Sequence, residues 1–333
     1  MMNELESLKN KNILVTGAAG FIASHLTEML LQKGAKVTAF VKYNSTSSIG
    51  WLEEISDKEK LSIIHGDVRD PFQVNSAVKD IDIIFHLAAL IGIPYSYAAP
   101  QSYVETNLLG TMNFLEAAKS HKTSKIILTS TSEVYGTALK VPITEEHPLQ
   151  AQSPYSATKI AADMMGKAYA CSFGLPVTIV RPFNTFGPRQ SLRAVIPTII
   201  TQALKGKTIK LGDTKPVRDF NFVLNTCEGF ISAALKGSSN AEIYNLASGE
   251  EHTIGETAQL IADIMGAKLE IQHDSLRDRP ADSEVMRLLG DYSKAKKELG
   301  WKPRYSFKEG LTQTINWFEK NIDKYKDIGN YKS

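Results

Sequence analysis

Asn12-Ile-Leu-Val-Thr-Gly-Ala-Ala-Gly-Phe-Ile-Ala-Ser-His-Leu26 decides the fold. Asn12 to Thr16 is a short apolar run of the kind that forms a buried strand. Phe21 to Lys33 follows with Phe21, Ile22, Leu26, Met29 and Leu30 at helical spacing, and Gly34 stands where a helix stop is expected. Between them lie only small residues. A strand, a turn without bulky side chains and a helix N-terminus together make a phosphate site. The backbone can approach a pyrophosphate, and the free N–H groups and positive dipole end of the helix face it. The spacing is Gly-x-x-Gly-x-x-Ala rather than Gly-x-Gly-x-x-Gly, and Ala23 is still small enough for close helix–strand packing. Gly17, Ala19, Gly20, Phe21 and Ile22 are therefore candidate contacts to a dinucleotide.

Outward from this unit the alternation continues. Lys36 to Val41, Leu61 to Ile64, Ile81 to Phe85, Lys125 to Thr129 and Pro176 to Val180 read as strands. Helical stretches lie between most of them, notably Tyr103 to Ser120 and Ser156 to Phe173. This order predicts an α/β fold, a doubly wound parallel sheet of Rossmann type. After Arg181 strands shorten and Pro and Gly scatter. We expect a Rossmann domain over 1–181 and a smaller mixed α/β substrate-binding lobe over 182–333, with some crossover of the chain between lobes. No internal repeat is visible, and Asn321 to Ser333 are polar and expected to fray.

Composition narrows the function. Thirty-eight basic residues nearly balance 36 acidic ones, which gives no electrostatic footprint for nucleic acid. An anionic substrate would need local arginines. Cys171 and Cys227 are the only cysteines, so neither a disulfide framework nor a metal site is expected. Met1 to Lys11 lack the apolar core of a signal peptide, and no apolar run suggests a membrane span. The cytoplasm is the expected location.

The second strand ends Ala39-Phe-Val-Lys-Tyr-Asn-Ser45. NAD-preferring sites usually carry an acid here for the ribose hydroxyls, and none appears before Glu53. Lys42, with Asn44 and Ser45, suits a 2′-phosphate, which favours NADP. A solvated lysine at a strand end, with NAD as cofactor, is the other reading. Asp67 and Val68 follow the third strand, and Asp67 is placed to accept from an adenine amino group. His86-Leu-Ala-Ala89 follows the fourth strand, where small residues let a cofactor lie on the strand end. Leu87, Ala88 and Ala89 join the candidates, and His86 reads as structural.

Tyr155 and Lys159 are four apart and share one helix face. A nearby ammonium lowers a phenol's pKa and makes a base that works near neutrality. Thr129-Ser-Thr-Ser-Glu133 closes the fifth strand. Thr131 is placed to bond a substrate hydroxyl beside Tyr155. Glu133 is the unusual residue, since a carboxylate in a cofactor cleft is costly to bury without a partner or task. Capping of the following turn is its plain structural alternative.

These runs stand in a familiar order. Gly17 to Leu26, His86 to Ala89, Thr131 to Gly136, Pro154 to Lys159 and Arg181 to Gln190 resemble the extended short-chain dehydrogenase/reductases, as do Arg218 to Phe222 and Ser293 to Trp301. Within them the chain is most similar to the nucleotide-sugar 4,6-dehydratases. The stretches Ala39 to Trp51 and Ala89 to Tyr97 resemble the branch acting on GDP- or UDP-linked N-acetylglucosamine toward legionaminic-acid-type sugars. The resemblance implies a tightly held nicotinamide cofactor touched also by Asn107 and Thr129, and catalysis by Thr131, Ser132, Glu133, Tyr155 and Lys159. It places Tyr95 and Asn184 near the sugar and its diphosphate, Arg218 near a phosphate or base and Arg279 on the diphosphate, with Arg189 and Arg193 as weaker candidates. It implies a homodimer, with the helices Tyr103 to Ser120 and Ser156 to Phe173 paired into a four-helix bundle. Sugar 4-epimerases usually carry a small residue where Glu133 stands. UDP-glucuronate decarboxylases share Thr-Ser-Glu, so a decarboxylase stays open, and a non-catalytic dinucleotide sensor is the reading of another class.

Overall fold

The computed structural model describes residues 8–56, 58–278 and 280–325. Strand β1 (Asn12–Thr16) lies inside a seven-stranded parallel sheet with β2 (Lys36–Lys42), β3 (Leu61–Gly66), β4 (Ile83–His86), β5 (Lys125–Thr129), β6 (Val177–Pro182) and β7 (Asn240–Leu246). Their order across the sheet is β7-β6-β5-β4-β1-β2-β3. The register sets Thr16 beside Phe40 and His86, and Thr129 beside Val180. The chain runs outward from β1 in both directions, so β1 and β4 flank the switch point. Open α/β sheets bind ligands there, at the carboxyl ends of the strands.

The strands are apolar because helices cover both faces. Helix α1 (Phe21–Gln32) packs on one face with Val223–Lys236, and Gly110–Ser120 and Pro154–Phe173 cover the other. The expected helix from Tyr103 to Ser120 is helical from Pro100, but its turn Val104–Leu109 is widened to a π-helix. The wide turn carries Asn107 into the interior, where it is buried and fully bonded.

The sheet's outermost strand, β7, comes from the second half of the chain. The rest of that half builds two-stranded pairs: 184–186 with 220–222, 208–211 with 270–273, and 217–218 with 252–253. Of the tail expected to fray, Asn321 to Tyr325 are described and pack on the body of the protein, and 326–333 lie outside the described residues. Phe307–Asn321 is an amphipathic helix, and Tyr325 beyond it packs on Trp51, Trp317 and Phe318. The polar residues there mask a few aromatic anchors. No helix among the described residues is long and apolar enough to cross a membrane.

Candidate active site

The carboxyl ends of β1, β4, β5 and β6 open into one cleft of about 1600 Å³, roofed by the smaller pairs. At its floor the chain leaves β1 through Gly17, whose φ is +67°. A Cβ at Gly17 would lie 3.0 Å from Ala88 Cα, so only glycine allows this approach. Gly20 caps α1 without a side-chain bond, and the first turn holds no acid. The free N–H groups and positive end of the helix therefore stay available to an anion. Gly17, Gly20, Phe21 and Ile22 line the cleft, as do Leu87, Ala88 and Ala89. Small residues, an uncapped helix start and a flat strand end fit a nicotinamide dinucleotide.

The strand end is held from below by a hydroxyl–imidazole chain. Thr16 Oγ1 accepts from the Leu87 and Ala88 N–H groups, each at 3.0 Å. Its own proton is left for His86 Nδ1, also at 3.0 Å. Thr111 Oγ1 donates to the Asn107 carbonyl, so it accepts from His86 Nε2 at 3.2 Å. This chain of donors makes His86 the neutral Nε2–H tautomer. Burial, aided by the Lys159 charge, pushes its pKa down to about 3. The Asn107 amide bonds the Leu90 N–H and C=O and Thr158 Oγ1. Asn107 thus shapes the cofactor floor from beneath and does not line the cleft.

The catalytic candidates converge. Ser153 forms a capping box with Ser156 and Pro154 takes the first helical position, so the helix Pro154–Phe173 begins just ahead of Tyr155. Tyr155 and Lys159 lie one turn apart on it, both buried, both in the cleft. Lys159 Nζ donates to the Thr129 carbonyl. Burial lowers its pKa to about 8, and the Asp163 carboxylate opposes the shift. Among the protein's own groups the phenol of Tyr155 is not lowered: burial raises it, the Thr131 hydroxyl opposes, and Glu133 adds to the rise. The expected lowering by the ammonium is not found, because the phenol is dry and a carboxylate faces it.

Thr131 caps the turn Ser132–Tyr135, accepting from Glu133 N at 3.2 Å. The cap is thus Thr131, and the Glu133 carboxylate makes no hydrogen bond or ion pair among the described residues. Glu133 is half-buried in the cleft beside Thr131 and the buried Ser132. Behind this loop the buried Asp163 accepts from Ser130 Oγ at 2.8 Å and from Arg181 at 2.9 and 3.1 Å.

On the opposite wall Asn184 presents a buried Oδ1 that lacks a partner. Arg218 lines the cleft, anchored to the Val217 and Val285 carbonyls and to Glu284 at 2.8 Å. Tyr95 is exposed at the rim, and Arg279 lies outside the described residues. Arg193 faces the cleft, whereas Arg189 turns back to Glu28 on α1.

The adenosine-side candidates are more scattered. Ala19 is turned to the backbone of Trp51, its carbonyl accepting at 3.2 Å. Lys42 and Ser45 are exposed, and Asn44 staples its own loop through Thr46 and Ser48. Asp67 is engaged by Arg69 at 2.6 Å, which holds its carboxyl below the usual range. Val68 is buried against Gly110. None of these lines the cleft. Gln190, Thr214, Lys215, His273 and Arg277 do line it and were not foreseen. They come from loops, a short strand (270–273) and a single helical turn (275–277) in the second half of the chain, where no long periodicity marks a facing side.

A family model described as GDP-mannose 4,6 dehydratase matches residues 14–314. A dTDP-glucose 4,6-dehydratase of Actinoplanes sp. is 32% identical over 317 residues, covering 93% of this chain and 98% of that protein. UDP-glucuronic acid decarboxylase 1 of Xenopus tropicalis is 34% identical, covering 96% of this chain and 75% of that protein. Among solved structures, the dTDP-glucose 4,6-dehydratase DesIV of Streptomyces venezuelae, with NAD and TYD bound, superposes with a TM-score of 0.87 at 31% identity, over 95% of this chain and 99% of that one. With the Gly17 loop, Tyr155, Lys159 and Glu133 gathered at the switch point of a doubly wound sheet, the chain belongs to the GDP-mannose 4,6-dehydratase family of nucleotide-sugar enzymes.

Proposed function

We propose that this protein is an NAD(P)-dependent nucleotide-sugar 4,6-dehydratase, converting an NDP-hexose, NDP-N-acetylglucosamine by preference, to the 4-keto-6-deoxy sugar. The observation that carries the reading is Glu133, an unpartnered carboxylate in the same cleft as Thr131, Tyr155 and Lys159. A nicotinamide held over Ala88, Ala89 and Thr129 would supply the hydride acceptor for C4 and the hydride donor for C6. Tyr155 takes the O4 proton, Lys159 lends positive charge to the resulting phenolate, and Thr131 orients O4. The C4 ketone acidifies the C5 hydrogen, and Glu133 removes it. Glu133 then passes that proton to the C6 hydroxyl, which leaves as water, with the buried Ser132 where other dehydratases have an acid. C5 takes up a proton as the hydride reaches C6, matching the one Tyr155 removed from O4, and the sum is loss of water with no net redox change.

Ala88, Ala89, Thr129 and the α1 terminus would hold the dinucleotide. Lys42, with Asn44 and Ser45 nearby and no acid at the end of β2, favours NADP over NAD. Residues 182–333, apart from the returning β7, form the lobe that covers the nucleotide sugar, to which Asn184, Arg218 and Arg279 would contribute from that lobe and Tyr95 from the segment after β4. Arginine suits the diphosphate because its planar fork binds two oxygens at once. Val104, Leu109, Met164 and Phe173 expose apolar surface on the two long helices, which supports a homodimer through a four-helix bundle. Two free cysteines fit a reducing cytoplasm. A decarboxylase acting on a UDP-uronate is the second reading, favoured by Thr131-Ser-Glu133.

The test is incubation of the purified protein with GDP- and UDP-N-acetylglucosamine, GDP-mannose and UDP-glucuronate, each followed by mass spectrometry. Loss of one water from one substrate, abolished in Tyr155→Phe, supports the dehydratase. Loss of carbon dioxide from the glucuronate transfers the assignment to the decarboxylase.

A further inference from the structure

The segment after β2 is hooked to the glycine loop by its backbone. Gly50 has φ +56°, and a Cβ there would stand 2.7 Å from the Ala19 carbonyl, which accepts from Trp51 N. The other side of this segment is covered by the C-terminal residues. The Trp51 ring lies 5.4 Å from Trp317 and 5.7 Å from Tyr325, and Lys324 pairs with Glu54. Tyr325 stacks on Phe318 at 5.3 Å and donates its hydroxyl to the Gln190 carbonyl at 2.9 Å. Gln190 lines the cleft. Its neighbours return to α1: Pro188 O accepts from His25 at 3.0 Å, and Arg189 pairs with Glu28 at 3.0 Å.

These contacts close a ring from the glycine loop through Trp51, Tyr325 and Gln190 back to the dinucleotide helix. We propose that Trp51, Trp317 and Tyr325 form a C-terminal clasp that sets how tightly the nicotinamide dinucleotide is held. The clasp fixes Ala19 from behind and positions the β2 exit that carries Lys42, Asn44 and Ser45. It touches neither the reacting atoms nor the sugar, so these three are positioning residues. The inference rests on the dinucleotide lying on the Gly17–Ile22 loop.

The experiment times the release of bound dinucleotide from the purified holoenzyme, with Gly17→Val as the control for the loop itself. Loss of the Tyr325 ring should speed release about tenfold, the scale of one aromatic cluster contact. The kcat at saturating cofactor and the KM for nucleotide sugar should stay parental, a split that a general loss of stability would not give. Two of the chain's three tryptophans lie in the clasp, so tryptophan emission should shift when dinucleotide is added to stripped protein, and shift less in Trp317→Phe, which leaves Trp51 as the reporter. If Tyr325→Ala does not fold, Tyr325→Phe, which removes only the bond to Gln190, should speed release about fivefold. A parental release rate in the folded variants, with Gly17→Val unable to retain cofactor, overturns the clasp and leaves the cofactor site standing. Retention by Gly17→Val overturns the cofactor site beneath it.

Discussion

Replacing Asp163 by alanine should unfold this protein far more readily than any surface change, and the structure sets the scale. Asp163 and Arg181 are 2% and 1% exposed and meet at 2.9 Å. The same carboxylate holds Ser130 Oγ. Arg181 also donates to Tyr135 Oη at 2.9 Å and lies 4.8 Å over its ring, and Tyr135 Oη donates to Asn245. Without the carboxylate, Arg181 keeps only the tyrosine and remains a buried, uncompensated cation. Breaking such a pair costs about 3–5 kcal/mol, a large part of a total stability on the order of 5–15 kcal/mol. The double variant Asp163→Leu/Arg181→Met removes both charges at similar volume and should recover most of the loss. Urea denaturation of the parent, both single variants and the double, at a common slope, gives the coupling directly. The folded fraction of Asp163→Ala should also turn over more slowly, because Ser130 sits between Thr129, which holds Lys159, and Thr131. A single-variant loss below about 1 kcal/mol, or a double variant as unstable as the sum of the singles, refutes the argument.

Three further outcomes are expected. Glu133→Gln should lose water elimination by at least about 10²-fold, the usual worth of a positioned acid–base group. The sugar then stalls at the 4-keto stage, which nicotinamide absorbance would reveal as a change that does not reverse. Lys159→Met should abolish turnover yet stabilise the fold at about pH 7. The lysine's pKa falls from 10.5 to about 8 on burial, so below pH 8 the folded parent carries a buried charge that its unfolded chain keeps in water. That deficit is full below pH 8, fades as pH rises to 10.5 and is absent above it, so melting curves of parent and variant should converge across that window. Lys42→Ala should shift the cofactor preference about tenfold from NADP toward NAD if the lysine meets a 2′-phosphate, and titration of both cofactors into stripped protein reads it directly.

The parts of the fold legible in the sequence are those fixed by short-range pattern. Asn12 to Ala23 announces a strand, a turn and a helix because apolar period and small-residue content change within a dozen positions. Tyr155 and Lys159 are legible for the same reason, since helical spacing alone puts them on one face. In the sequence Arg181 marks only the boundary after the sixth strand and the start of the run to Gln190. Its role appears when β6 lies beside the helix bearing Asp163, a pairing that no local pattern encodes. Strand β7 is hidden likewise: Asn240–Leu246 lies between the helices Val223–Lys236 and Ile254–Met265 and finds its place only by pairing with β6.

The candidates that do not line the cleft share one feature. Asp67, Asn107 and Asn44 are polar residues near the cofactor in sequence, and each finds a protein partner first. Asp67 is taken by Arg69 two residues on, Asn44 by its own loop, and Asn107 by Leu90 and Thr158 through a widened helical turn. A buried or tethered polar group satisfies itself within the fold wherever geometry allows, because leaving it unpaired costs more than the bond gains. The polar atoms still unpaired at the cleft are then the informative ones. Glu133 makes no hydrogen bond or ion pair among the described residues, and the Asn184 Oδ1, like the Thr129 Oγ1 and Gln190 Oε1 in the same cleft, is buried without a partner. A folded chain keeps such groups where a ligand completes them. On that ground Glu133 is read as chemistry, and Asn107, equally prominent in sequence, as scaffold.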